Sequence, residues 1–550
     1  MAIKDEQEKK TNLKLEQIQR GDEEKRAKNL ATELGFPYLD LRTTPIDKTG
    51  LLLITELESK KAKAAIVQKK QKELYLTCLD PKSRETEELI KDLENKGYKI
   101  QITIASQSNL EKAWKRYEDK TEKKAITHKT EIDIEELKQI QEGIKTIKDL
   151  KEKLSQTSLN ATQLLNLIMA AALKLEASDI HLENEEDAVR LRFRLDGILQ
   201  DVTDIRSELY KLFLSRIKIL SSLKLNITTV PQDGRFSFQS EGKEIENRVS
   251  VIPAEYGENI VIRILDPKAI NLKLEDLGIQ NHDLEIIEKE LKKPNGMIIT
   301  TGPTGSGKTT LLYAFLKRVN KPEIKIITLE NPIEYHLEGV EQTQVSEEYT
   351  FAKGLKSIVR QDPDMLLVGE IRDKETAETA INAALTGHLV FSTLHTNDAA
   401  GAVPRLVDMK VNPSLIPPAL NLVIAQRLVR KICAKCFKEI KPDAKTLKQI
   451  EDGLKDLPSR AKKPVIDKIK QVNPEGCEYC NFTGYKGRIG VFELFIIDDT
   501  MEKTILKTPS IAEIRETAIK AGMITMKQDG LLKLVQGITT VEEIERVLGE

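Results

Sequence analysis

Gly302-Pro303-Thr304-Gly305-Ser306-Gly307-Lys308-Thr309-Thr310 is the stretch from which the rest of the chain is read. A β-prone run, Met297 to Thr301, leads into it, and a helical stretch, Leu311 to Val319, follows. This is G-x-x-x-x-G-K-T in its strand–loop–helix setting, a phosphate cradle. The glycines let the backbone bend until its N–H groups point inward at phosphate oxygens. The helix that follows adds the positive end of its dipole. Lys308 is expected to reach the β- and γ-phosphates, and the Thr309 hydroxyl to ligate Mg²⁺.

Downstream lie three more β-prone runs, Ile324 to Leu329, Met365 to Val368 and Leu389 to Leu394. In a parallel sheet the C-terminal strand ends gather on one edge, where ligand binds. Glu330, Glu334, Glu370, His388 and His395 stand at or near the ends of these runs, so all five are expected close to the nucleotide.

Four of the five cysteines form two C-x-x-C pairs, Cys433/Cys436 and Cys477/Cys480, with 40 residues between the pairs. Four thiolates suit a structural, tetrahedral Zn²⁺ with no open position. Gly476 and Gly484 flank the second pair and permit sharp turns. The long spacer requires a segment such as Lys441 to Val472 to loop out. Cys78, in the apolar run Leu74 to Leu79, reads as a small core residue.

The 550 residues carry 86 Lys+Arg and 87 Asp+Glu, a formal net charge of −1. That balance argues against a general nucleic-acid footprint. No apolar run approaches the ~20 residues that span a bilayer, and the charged start lacks the apolar core of a signal peptide. A cytosolic chain is expected, with membrane work done through partners.

Organisation follows from pattern. Residues 1–26 read as a charged tail and 27–117 as a small α/β adaptor. Residues 118–157, dense in Lys and Glu, read as a solvated helical linker. Residues 158–265 read as a second α/β domain, with a helix from Ala161 to Leu175 and strands such as Val189 to Arg194. A linker, 266–282, then leads to the motor, 283–550, with the cysteine region at 430–490.

At this point the chain resembles the secretion ATPase superfamily. Thr328-Leu329-Glu330-Asn331-Pro332-Ile333-Glu334 looks like its acidic box. Arg360-Gln361-Asp362-Pro363-Asp364 running into Leu367-Val368-Gly369-Glu370-Ile371-Arg372-Asp373 resembles its Walker B region. Thr386-Gly387-His388 through His395-Thr396-Asn397 resembles its histidine box. Ala177-Ser178-Asp179-Ile180-His181 and Arg194-Leu195-Asp196-Gly197 match the domain before the motor. The members it looks most like are the type IV pilus extension ATPases and the type II secretion ATPases.

The resemblance implies a RecA-like P-loop motor preceded by a smaller α/β domain, an N-terminal adaptor and a zinc-binding insertion. It implies an ATP- and Mg²⁺-dependent homohexamer acting on an inner-membrane platform protein in type IV pilus assembly. Type II secretion is the alternative, and a nucleic-acid motor or a non-hydrolysing scaffold are further classes. Glu334 would polarise the attacking water, Glu330 would support it or the metal, and Glu370 would position Mg²⁺ or its water shell. His388 and His395 would sense the γ-phosphate or couple it to a neighbour. Arg248 and Arg263 would complete an active site as arginine fingers in a ring whose sites form between subunits. The resembled family usually has Asp where Asn331 stands, so slower turnover is expected here.

Overall fold

The computed structural model describes residues 23–41, 44, 47–51, 53–70, 73–118, 129–130, 139–156, 159–240, 243–266, 272–507 and 509–549. Most of the expected charged tail, and residues 119–128, 131–138 and 157 of the expected linker, lie outside these. The chain divides into two compact units, residues 1–127 and 128–550.

In the first unit, strand Glu73–Cys78 pairs antiparallel with Ala64–Lys70 and parallel with Lys99–Ile104. Helices Glu56–Lys61, Arg84–Asn95 and Gln107–Glu118 accompany this sheet. Ile66, Leu74, Leu76, Cys78 and Leu93 form part of its core. Burial pushes the Cys78 thiol up to about 12, which makes it the inert core residue expected.

The second unit holds both the middle domain and the motor. The middle domain is a seven-stranded sheet in the order 129–130, 232–240, 243–254, 257–265, 179–184, 189–195, 198–205. Strand Val189–Leu195 alternates buried and half-buried along its whole length, as period-2 patterning requires. Residues 139–156 do not behave as the solvated linker expected of them. Ile144 and Leu150 are fully buried in this domain's core, with Ile147 and Leu154 packed against it. In the helix Ile147–Gln156, spacing of three and four residues puts Ile147, Leu150 and Leu154 on one face, and Ile144 joins them from the turn just before it, which outweighs the surrounding charge.

The motor sheet comprises β1 (Gly296–Thr301), β2 (Ile326–Glu330), β3 (Glu341–Gln344), β4 (Met365–Val368), β5 (Leu389–Leu394), β6 (Leu420–Ile432) and β7 (Tyr485–Ile496). Its order is β3-β2-β4-β5-β1-β6-β7. All neighbours are parallel except β6 and β7. Helices α1 (Lys308–Val319), α2 (Phe351–Ile358) and α3 (Lys374–Leu385) belong to its crossovers. Every residue of β1, β2, β4 and β5 is buried, as expected of strands covered on both faces. The motor's core starts before residue 283, because Leu274, Leu277 and Ile279 are buried in it.

β6 is 13 residues long against six for β1, and β1 ends opposite Ala425. Its last residues therefore run on past the phosphate loop to Cys433. Residues 441–472 do not simply loop out. Helix α4 (Ala444–Gly453) carries Ile450 into a cluster with Leu531, Leu532 and Leu534 from the C-terminal helices. No helix among the described residues is long and apolar enough to cross a membrane.

Candidate active site

β1 ends at Thr301 and the chain turns at once through Gly302, whose φ is 145°. A Cβ there would lie 2.5 Å from the Gln426 carbonyl oxygen on β6, so only glycine fits this approach. Gly305 and Gly307 follow with φ of 78° and 91°. Lys308 opens α1, and its ammonium donates to the carbonyls of Gly302 and Pro303 at 2.8 and 2.9 Å. The lysine thus folds back onto its own loop. Burial lowers its pKa, Glu370 and Glu334 oppose that shift, and Arg427 adds to it. These groups therefore lie near enough to act on the Lys308 charge. The Ser306 hydroxyl is buried and has no hydrogen-bond partner. A curled backbone, a helix N-terminus, a buried ammonium and an unsatisfied hydroxyl together fit a bound polyphosphate.

The acids divide into two kinds. Glu330, the last residue of β2, is buried and fully engaged. One carboxylate oxygen accepts the Tyr313 hydroxyl, and the other accepts Thr328 at 2.6 Å and Gln342 at 3.1 Å. Glu334, four residues on in the loop, is only half-buried. Glu370 follows β4 by two residues and bridges Arg372 at 2.7 Å and His395 at 3.3 Å. Asn331 is exposed in the turn after β2.

The structure separates the two histidines. β5 pairs Leu389 with Gly296 and Leu394 with Thr301. His395 is therefore at the phosphate-loop edge. His388 is at the far edge, roughly 20 Å away at about 3.3 Å per residue. There its ring contacts the Ala383 carbonyl at 3.0 Å. The expectation that His388 lies near the nucleotide and senses its γ-phosphate is corrected by this register.

Arg248 donates to the Ile333 carbonyl at 2.9 Å, beside Glu334. Arg263 and Arg194 both pair with Asp179, at 2.9 and 3.3 Å. Tyr335 is pushed up to about 12 by burial and Glu334, and it also feels Arg248 and Arg263. A cavity of about 550 Å³ is lined by Arg248, Arg263, Asp233, Pro332 and Gln344. Arg248 thus reaches the acidic loop of its own chain.

Three groups escaped the sequence reading. Gln426 backs the phosphate loop, Arg427 bonds Asn397 at 3.2 Å, and Tyr313 anchors Glu330. All three sit in apolar-rich runs, and only the fold brings them to the site.

The four cysteines converge. Cys433 Sγ and Cys477 Sγ are 3.8 Å apart, as are Cys436/Cys480 and Cys477/Cys480. Tetrahedral thiolates at ~2.3 Å from a zinc ion would be about 3.8 Å from one another. The Cys477 and Gly484 amides donate to Cys480 Sγ at 3.2 and 3.3 Å. A Cβ on Gly476 would strike the Phe482 backbone at 2.5 Å. The donor set therefore fits Zn²⁺.

Fold and site together define a P-loop motor ATPase. The type II/IV secretion system protein family matches residues 155–546, and the chain belongs to that family. It is 44% identical over 390 residues to type II secretion system protein E of Pseudomonas aeruginosa, covering 70% of this chain and 75% of that one. It is 36% identical over 531 residues to the type IV pilus assembly ATPase PilB of Myxococcus xanthus, covering 95% and 91%. The solved Legionella pneumophila ATPase DotB shares the fold, with TM-score 0.51 and 21% identity over 71% of this chain and 96% of that one. Family membership makes the chain an ATP-hydrolysing motor that uses nucleotide and Mg²⁺.

Proposed function

We propose that this chain works as a homohexamer at the inner face of the cytoplasmic membrane. There its ATP hydrolysis drives an inner-membrane platform protein in type IV pilus assembly. Type II protein secretion is the second reading, and relatives of both kinds match this chain. The observation that carries the motor reading is the Lys308 cradle, with Glu334 and Glu370 acting on its charge and an unsatisfied Ser306 hydroxyl inside it.

In this reading, residues Gly302 to Thr310 hold the polyphosphate through backbone N–H groups, and Lys308 leaves its carbonyl partners for the β/γ oxygens. The Thr309 hydroxyl and Glu370 hold the Mg²⁺ shell. Bound Mg²⁺ supplies charge neutralisation at the transferring phosphoryl group. Glu334, half-buried and free of the clamps on Glu330, orients and partly deprotonates the attacking water. Glu330 braces the β2 end through Tyr313, Thr328 and Gln342. His395 holds Glu370. Arg248 and Arg263, carried by the middle domain, meet the charge that develops on the γ-phosphate. Cys433, Cys436, Cys477 and Cys480 hold Zn²⁺ as a structural cross-link.

The test is ATP hydrolysis by the metal-loaded protein over a range of subunit concentrations, with sizing at each. Turnover that tracks the hexamer population supports the ring, and full turnover by a monomer overturns it. Strong stimulation by DNA would overturn the platform reading in favour of a nucleic-acid motor. Nucleotide binding without turnover would make the chain a scaffold. Deleting the gene separates the two pathways: loss of surface pili with normal secretion supports the first reading, and the reverse supports the second.

A further inference from the structure

Among the described residues, two groups of polar contacts join the middle domain to the motor within one compact unit. One is at the nucleotide, where Arg248 reaches the Ile333 carbonyl. The other is at the four-cysteine knuckle. Asn481 Oδ1 accepts the Ile147 amide at 2.8 Å, and its Nδ2 donates to Gln200 at 2.9 Å. Close by, the Gly487 amide donates to Asp196 at 3.0 Å and Lys486 pairs with Glu176 at 2.6 Å.

Asn481 is well placed for this. It follows Cys480 directly and has φ of 51°, a left-handed conformation that asparagine tolerates better than most residues. Ile147 is the first residue of helix Ile147–Gln156, so its amide has no partner within the helix. Asp149 already accepts the Lys145 and Thr146 amides, both at 2.8 Å. Asn481 therefore completes a cap on the middle domain from outside it. Residues 477–484 hold one regular element, the single turn Glu478–Cys480, and their bends are tied by bonds among the cysteines and their neighbours: the Phe482 amide donates to the Cys477 carbonyl and the Cys433 amide to the Gly484 carbonyl, both at 2.9 Å.

We propose that the four-cysteine knuckle is the fulcrum on which the middle domain turns, with Asn481 as the positioning residue that fastens it. Metal loading fixes where Asn481 stands. Asn481 fixes the helix at Ile147 and the strand at Gln200. The domain so held carries Arg248 to the nucleotide edge. The last step rests on the proposed role of Arg248, and the first two do not.

The experiment is hydrogen exchange on the full-length, zinc-loaded protein, following peptides over residues 144–150 and 198–202, with kcat and KM for ATP measured beside it. Asn481→Gly removes the side chain without straining the left-handed backbone. It is expected to keep one zinc per chain, to speed exchange at 144–150 about five- to tenfold, and to lower kcat more than KM changes. Asn481→Asp keeps an acceptor for the Ile147 amide and is expected to restore protection at 144–150 but not the Gln200 contact. Chelating zinc from reduced wild-type protein should reproduce the Asn481→Gly exchange pattern while β1 and β5 stay protected. Unchanged protection at 144–150 in Asn481→Gly overturns the proposal. If chelation also exposes β1 and β5, the Asn481→Gly result decides alone. Loosened 144–150 together with wild-type turnover in Arg248→Ala would sink the arginine's role and leave the fulcrum standing.

Discussion

His395 and His388 bracket one six-residue strand, yet they meet different chemistry. His395 lies at the edge where β1 ends and the phosphate loop begins, within 3.3 Å of Glu370. His388 lies at the edge where β1 starts, against a helix carbonyl. The same contrast divides the acids of one short loop. Glu330 is buried among three donors, whereas Glu334 is half-open and near Lys308. Identity of side chain and nearness in sequence do not assign a role. The edge of the sheet and the number of partners already satisfied do.

The sharpest way to break this comparison is Glu334→Gln, which should lower kcat by about 10²–10³-fold while ATP binding persists. Steady-state turnover and a fluorescent ATP analogue check it, and near-normal turnover would return the role to Glu330. Glu330→Ala should act on stability first. It leaves the Tyr313 and Thr328 hydroxyls buried without an acceptor, which costs about 3 kcal/mol. Denaturant unfolding measures that, and loss of turnover at unchanged stability would mean that Glu330 is catalytic after all.

His395→Ala should reduce kcat about tenfold by freeing Glu370, with KM nearly constant. Asn331→Asp, restoring the charge usual at this position, should raise turnover about two- to threefold. The effect is small because Asn331 is exposed and Glu334 is present regardless. His388→Ala should leave hydrolysis within twofold of wild type and cost about 1 kcal/mol of stability for the lost Ala383 contact. A tenfold loss of hydrolysis there would erase the distinction between the two edges.

Much of this was legible without coordinates. The phosphate loop, the strand before it and the helix after it are dictated by glycine spacing and an apolar run. The Cys78 core role and the convergence of four cysteines follow from thiol chemistry and pairing. Other features were not legible for identifiable reasons. Residues 139–156 look like a charged spacer because a few apolar side chains are diluted by lysine and glutamate, yet one helical face carries Ile147, Leu150 and Leu154 into the core and Ile144 joins them from the preceding turn. Residues 441–472 look like a loop, but Ile450 finds a hydrophobic cluster made by helices some 80 residues on, about which local patterning is silent.

From its own residues the sequence determined a polyphosphate cradle at Gly302–Thr310, a four-thiolate centre and a chain of α/β units, because each depends on local spacing and side-chain chemistry. Only the tertiary structure decided that His388 faces away from the nucleotide, that Glu330 is a brace, that Arg248 meets its own chain's acidic loop and that Asn481 caps a helix 334 residues before it. Those outcomes depend on strand order, register and domain packing. These are set by which apolar surfaces bury one another across the whole chain, and no short window of residues contains that information.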